Sequence, residues 1–207
     1  MEAADTALGS PGLRERKKER TRTAISDAAR DLFESQGFAA TTIPQIAERA
    51  QVSPRTVSYY FPAKEELVFP DRDQLLGGLA AALSQRPQGE SPGVAVARWL
   101  TSHFAERSAE EERRERCRRC LVDDDPGLRA YELEMQSCAE EIIAASFAAD
   151  LGLPVEHHVP RMIAAATTAA LHSLDVEEER PDPDRAKALI EDVMSFITAG
   201  ARQFDAG

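Results

Sequence analysis

What this sequence lacks narrows it first. Of its 207 residues only three are cysteine, an odd number for a chain of this size, so no disulfide framework is suggested. No apolar run approaches the roughly 20 residues that cross a bilayer. The opening MEAADTALGSPGLRERKKER has no apolar core of a secretory signal, so a cytoplasmic protein with no membrane partner is the expectation. The four histidines, His103, His157, His158 and His172, pair with neither cysteine nor carboxylate at ligand spacing. H-E-x-x-H, G-x-S-x-G, E-x-x-H and phosphate-cradling glycine loops are also missing. No enzyme, metal site or cofactor is expected.

Positive charge is in deficit too, with a net charge of −11. The deficit is uneven. Residues 13–67 hold ten Lys and Arg against eight Asp and Glu, whereas residues 68–207 hold fifteen against twenty-six. Arg14, Arg16, Lys17, Lys18, Arg20 and Arg22 crowd one short segment. A nucleic acid responds to the sign of the surface it touches, so an acidic body behind a basic end remains compatible with DNA.

No alternation of strand type competes with helical spacing, and an all-α fold is predicted. Ile25, Ala28, Ala29, Leu32 and Phe33 stripe one helix over 14–35, which Gly37 ends. Thr42-Ile43-Pro44-Gln45 is a capping-box pattern opening a short helix to Ala50, and Ser53-Pro54 opens another that Pro62 limits. Further helical starts fall at Lys64–Phe69 and Gln74–Leu83. The loop SQRPQGESPG, 84–93, marks an approximate boundary that the preceding helix is expected to bridge. Later helices carry the stripes Leu128, Tyr131, Met135, Cys138, Ile142, Ala145, Ala149 and Ala186, Leu189, Ile190, Val193, Phe196, Ile197, Phe204. Between them, Val159–Leu174 is alanine-rich and weakly polar nearly all round, so it should be buried or pressed against a partner.

The two short helices, joined by Gln51-Val52, have the dimensions of a helix-turn-helix. Ile43, Ile46, Ala47, Val52, Val57 and Phe61 would fix the angle between them. Arg55, Thr56, Ser58 and Tyr59 then face outward, each able to donate to a phosphate or base edge. On pattern alone, a solvated surface helix remains open.

The run RTRTAISDAARDLFESQGFAATTIPQIAERAQVSPRTVSYYFPAKEEL resembles the N-terminal domain of the tetracycline-repressor (TetR) family. A-x-x-L-F, G-F before Thr41-Thr42, I-A-x-x-A, V-S-x-x-T, Y-F and K-E-E-L carry the resemblance over roughly 50 residues. It implies a three-helix DNA-binding domain over 13–67, a ligand-sensing and dimerisation domain over 68–207, and a disordered tail over 1–12. It implies a homodimer on a pseudo-palindromic operator in double-stranded DNA, most often acting as a repressor. The DNA-binding residues would be Thr42, Ser53, Pro54, Arg55, Thr56, Ser58, Tyr59, Tyr60 and Lys64, with Thr42 and Lys64 on phosphates. Tyr60 either touches phosphate or braces the helix, and the basic arm before Arg22 either reaches flanking DNA or is a solubilising tail. Two positions depart from the pattern: Gln51 stands where glycine is usual, and Ser58 where an aromatic often is.

In that architecture the last two long helices pair with their dimer mates, through Ala165, Ala169, His172, Ile190, Val193 and Ile197. The other reading of the alanine-rich helix is an intramolecular core. A pocket would be lined by Trp99, His103 and Phe104 on one helix and Tyr131, Met135 and Cys138 on another, although such residues equally make plain core. No inward cluster of charge is evident, so a mostly apolar effector is expected. Cys117 and Cys120, three apart amid arginines that could stabilise a thiolate, offer a redox sensor as the alternative. A zinc site would need about four ligands where one C-x-x-C exists. A ligand carrier or an enzyme on the same fold would leave the basic reading domain without a purpose.

Overall fold

The computed structural model describes residues 12–104, 108–175 and 183–202. The side chains of His103, Phe104 and His172, and the tail before Gly12, lie outside the described residues. Among those described, the elements are helical throughout: α1 (Leu13–Gln36), α2 (Ile43–Arg49), α3 (Pro54–Tyr60), a 3-10 turn (Glu65–Leu67), α4 (Arg72–Ser84), α5 (Pro92–Phe104), α6 (Ala109–Asp124), α7 (Pro126–Leu151), α8 (His158–Asp175) and α9 (Pro183–Arg202). Lys64–Phe69, expected as the start of a longer helix, makes only the one tight turn before Pro70.

Two compact units result. The first runs to Pro70 and takes in Asp123–Asp125; the second comprises Asp71–Val122 and the chain from Pro126 onward. The loop that follows α4 therefore lies inside the second unit rather than at a boundary. Arg86 pins it, donating to the carbonyls of Leu83 (2.8 Å) and Glu90 (3.0 Å), to Ser146 Oγ and to Asp150 on α7.

In the first unit, α1 buries Ile25, Ala28, Ala29 and Phe33 at the predicted spacing against Ile46 and Ala47 of α2, Val57 and Phe61. Burying a side chain of Ile or Phe size is worth about 1.5–3 kcal/mol, so this small apolar set orients three helices. The turns are set by local chemistry. Thr42 and Gln45 complete a reciprocal capping box on α2, with Pro44 in its first turn. Ser53 caps α3, accepting from the Thr56 amide. Gln36 Nε2 reaches Thr41 Oγ1 (3.2 Å) and Gln45 Oε1 (3.3 Å), tying the end of α1 to the start of α2. Gln51, between α2 and α3, has φ 55, the left-handed region expected where glycine is usual. A side chain there costs on the order of 1 kcal/mol.

The second unit packs Leu79, Leu83, Val96, Leu100, Ile143, Phe147, Val159, Ile163, Ile190, Met194 and Ile197 into one core. Two sequence expectations are corrected here. Along α7 the stripe holds through Ile142, but Ala145 and Ala149 are exposed while Ile143, Ala144, Phe147 and Ala148 are buried. The C-terminal half of α7 packs with Val159, Ile163 and Ala164 of α8 in the shared core, so the side it buries is set by that neighbour and does not continue the N-terminal stripe. On α9, Ile190 and Ile197, expected at a partner's face, are 6% and 7% exposed in this chain's own core. Phe196, expected to share their stripe, is 82% exposed. Val193 packs half-buried against the core.

Candidate nucleic-acid interface

The helix α3 has only seven residues, too few to persist alone, because nucleation outweighs so short a propagation. Three features hold it: the Ser53 cap, the buried side chains of Val57 and Phe61, and a clamp at its C-terminal end. Arg22 makes the clamp, donating to the Tyr60 carbonyl (3.1 Å) and the Pro70 carbonyl (2.6 Å), with its guanidinium 4.4 Å from the Phe61 ring centroid. A cation at the C-terminal end of a helix satisfies orphan carbonyls and suits the dipole. Arg22 thus belongs to the scaffold rather than to a free basic arm. Its sequence signal was the three-residue step onto Ile25, the buried stripe of α1.

The candidate contact residues fall into two groups. Arg55, Ser58 and Tyr59 are exposed on the side of α3 away from Val57, with Tyr59 75% exposed. Pro54 is exposed in the first turn. The others are engaged. Ser53 Oγ meets Thr56 Oγ1 at 2.8 Å while capping the helix. The Thr42 amide donates to Gln45 Oε1 at 2.8 Å, and its hydroxyl lies 3.0 Å from the same oxygen. Tyr60 is half-buried, its ring edge-on to Tyr59 at 5.3 Å. Lys64 turns inward, donating to the Phe38 carbonyl at 2.6 Å with its ammonium 4.1 Å from the Phe38 ring centroid. Burial lowers the Lys64 pKa, opposed by the carboxylates of Glu65 and Asp125. One of three ammonium donors is committed, which leaves others for a phosphate.

Residues proposed for a pocket meet a charge that sequence spacing did not reveal. Arg72, at the start of α4, donates to Tyr131 Oη (3.1 Å) and Cys138 Sγ (3.7 Å), and stands 3.6 Å from Glu134. Its Nε is buried without a hydrogen-bond partner among the described residues. Arg118 of α6 joins Glu115 and, at 2.7 Å, Glu132, the neighbour of Tyr131 on α7, all three about one-fifth exposed. The expectation of no inward charge is therefore corrected: these arginines come from helices other than the striped one, so no single-helix period exposes them. Trp99 and Met135 are half-buried. Cys117 is half-buried and Cys120 exposed, and Arg118, between them in sequence, already serves two carboxylates. Among the described residues no group of three or more His, Cys, Asp or Glu could hold a metal ion, and no helix is long and apolar enough to cross a membrane.

The family model for bacterial regulatory proteins of the tetR family matches residues 25–75, and that for the MftR C-terminal domain matches residues 90–202. The HTH-type transcriptional regulator TcmR of Streptomyces glaucescens is 36% identical over 185 residues, covering 82% of this chain and 80% of TcmR. RutR of Escherichia coli strain K12, also an HTH-type transcriptional regulator, is 35% identical over 94 residues, 45% of this chain and 44% of RutR. Among solved structures, NalD of Pseudomonas aeruginosa, the secondary repressor of the MexAB-OprM multidrug efflux pump, superposes with a TM-score of 0.52 at 22% identity, over 87% of this chain and 96% of that one. That likeness concerns the fold alone.

Proposed function

The chain belongs to the TetR family of transcriptional regulators and is a DNA-binding regulator, and from that premise we propose that it is a homodimeric repressor released from a pseudo-palindromic operator by a small-molecule effector. Its site of action is the cytoplasm, and its chemistry is recognition rather than catalysis. The observation that carries the reading is the exposed set Arg55, Ser58 and Tyr59 on a short helix held in place by its Ser53 cap, buried Val57 and Phe61, and the Arg22 clamp. Arginine can pair bidentately with guanine in the major groove, and the hydroxyls can reach base edges or phosphates. Thr42, Ser53, Pro54, Thr56, Tyr60 and Lys64 serve by positioning, with Lys64 able to offer a remaining donor to phosphate.

A second copy would cover apolar positions left bare on the second unit. Met162 of α8 is 62% exposed, Ala165, Ala166 and Ala169 are exposed with it, and Phe196 protrudes from α9. Small side chains permit close helix approach between copies. The dimer face is thus drawn through Met162, Ala165, Ala169 and Phe196 rather than through Ile190 and Ile197.

The effector would lie among Trp99, Tyr131, Met135 and Cys138. Arg72 adds one polar requirement: an apolar body with an acidic or acceptor group that can exchange for Tyr131 or satisfy Nε. Release follows if the effector favours a half-site spacing the operator does not match.

Selection of bound sequences from a random duplex library by the purified protein tests the reading. An enriched inverted repeat is the expected result. A single unpaired motif would remove the homodimeric operator, and no enrichment by folded protein at low salt would remove sequence reading by α3.

A further inference from the structure

Arg72, Arg86, Arg98 and Arg118 tie the second unit together, and Arg72 is the least well matched of them. Its ion pair with Glu134 spans 3.6 Å, against 3.0 Å for Arg86–Asp150 and Arg98–Glu90 and 2.7 Å for Arg118–Glu132. Glu134 is also 67% exposed, and a long pair with so exposed a partner is weak.

The mismatch has a direction. A guanidinium holds five N–H groups in a fixed fork. Nη1 is satisfied, donating to Tyr131 Oη at 3.1 Å. Nε–H and one Nη2–H run parallel along another edge, the edge that meets a carboxylate side-on. There Nη2 reaches only Cys138 Sγ at 3.7 Å and the distant Glu134, while Nε is buried with no hydrogen-bond partner among the described residues. A thiol sulfur is a weak acceptor. Two parallel donors, one of them buried and unanswered, are the complement of a carboxylate, whose two oxygens accept both at once. A ketone or phenol oxygen offers no such pair. The surroundings are apolar: Tyr131, Met135 and Cys138 follow at steps of four and three residues on one face of α7, and the guanidinium stands 5.1 Å from the Tyr131 ring centroid. Arg118 offers no rival seat, since Glu115 and Glu132 already hold it. One open guanidinium edge matches one acid group.

We propose that the ligand of the second unit is a monocarboxylic acid with an apolar body, its carboxylate seated on the Nε–Nη2 edge of Arg72 in place of the Cys138 thiol. Tyr131 keeps its bond to Nη1, and the body of the acid lies along Tyr131 and Met135. The proposal rests on the effector reading above and narrows it from any acceptor to an ionised acid, and from exchange with Tyr131 to the neighbouring edge.

Isothermal titration at neutral pH tests it with 2-naphthoate and decanoate, each set against its primary amide, on the wild type, Arg72→Gln and Tyr131→Phe. At least one acid should bind the wild type about tenfold or more tightly than its amide, as paired charge-assisted bonds outweigh a neutral one. Arg72→Gln should abolish that preference, and Tyr131→Phe should hold acid affinity within about threefold of wild type. Circular dichroism should show wild-type helix content in both variants, and the wild-type ratio of acid to amide needs no variant. Amides binding as tightly as their acids, or an acid preference that survives Arg72→Gln, would overturn the carboxylate seat while leaving a ligand pocket in place. A tenfold loss of acid binding in Tyr131→Phe would move the acid to Tyr131 and overturn the seat as well. Binding of neither acids nor amides would overturn the seat together with the pocket on which it rests. An acid that binds through Arg72 yet leaves operator affinity unchanged would uphold the seat and overturn release by an effector.

Discussion

Both units are rich in arginine, and they use it in opposite ways. In the second unit Arg72, Arg86, Arg98 and Arg118 are each paired with a carboxylate, and Arg72, Arg86 and Arg118 are only about one-fifth exposed. In the first unit Arg55 and the α1 cations up to Arg20 face solvent, while Arg22, Arg30, Arg49 and Lys64 bond within the unit. A guanidinium already neutralised by carboxylates has little field left for a phosphate, whereas an exposed unpaired one releases counterions when it meets DNA. The net charge of −11 is therefore a poor guide to partners. What decides is which cations the fold leaves unneutralised.

The sharpest way to break this comparison is to remove the outward charge where it reads. Arg55→Ala combined with Tyr59→Ala should cost about 3 kcal/mol or more of specific binding, roughly a hundredfold in affinity, with thermal stability unchanged because both side chains are exposed. Operator affinity within threefold of wild type would take those residues out of the interface. The converse is to remove an inward charge. Arg118→Ala leaves Glu115 and Glu132 without their shared cation and should destabilise the second unit by about 3 kcal/mol, read as a lower urea midpoint. An unchanged midpoint would mean that water already screens the triad.

A smaller effect separates the units by backbone rather than charge. A Cβ on Gly93 of α5 would collide with Thr198 Oγ1 of α9, so Gly93→Ala should cost about 1–3 kcal/mol. Much of that loss should return in the double variant with Thr198→Ala. Additive losses would show that the collision is not the cause. Smallest of all, Gln51→Gly relieves a left-handed residue in the first unit and should stabilise it by about 0.5–1 kcal/mol. A lower melting temperature for that variant would show that the Gln51 side chain contributes more than its backbone conformation costs.

Much of the first unit was legible in advance because its determinants are local. A threonine with glutamine three residues later caps a helix, Ser-Pro opens another, and a φ above zero at Gln51 follows from the turn it occupies. The exposed set Arg55, Ser58 and Tyr59 follows from the position of Val57 within a seven-residue helix, whereas Thr56, expected outward with them, is half-buried and bonded to Ser53. What escaped were the side chains that join distant segments. Arg22 counts as one more basic residue until α3 ends beneath it, and Lys64 reads as a free cation until Phe38 accepts it.

In the second unit the balance is reversed, since a long helix meets different neighbours along its length. Along α7 the buried side changes where Ile143, Ala144 and Phe147 join the shared core with α8, which leaves Ala145 and Ala149 exposed. The amino-acid sequence by itself determined the all-helical fold, the caps and limits of α2 and α3, and the side chains α3 turns outward, because periodicity and capping act within a few residues. Only the tertiary structure decided which arginines are neutralised, that Ile190 and Ile197 lie inside while Phe196 lies outside, and that Arg22 grips the end of α3. Each of those depends on a second helix arriving at a particular face, and no one-dimensional period carries that information.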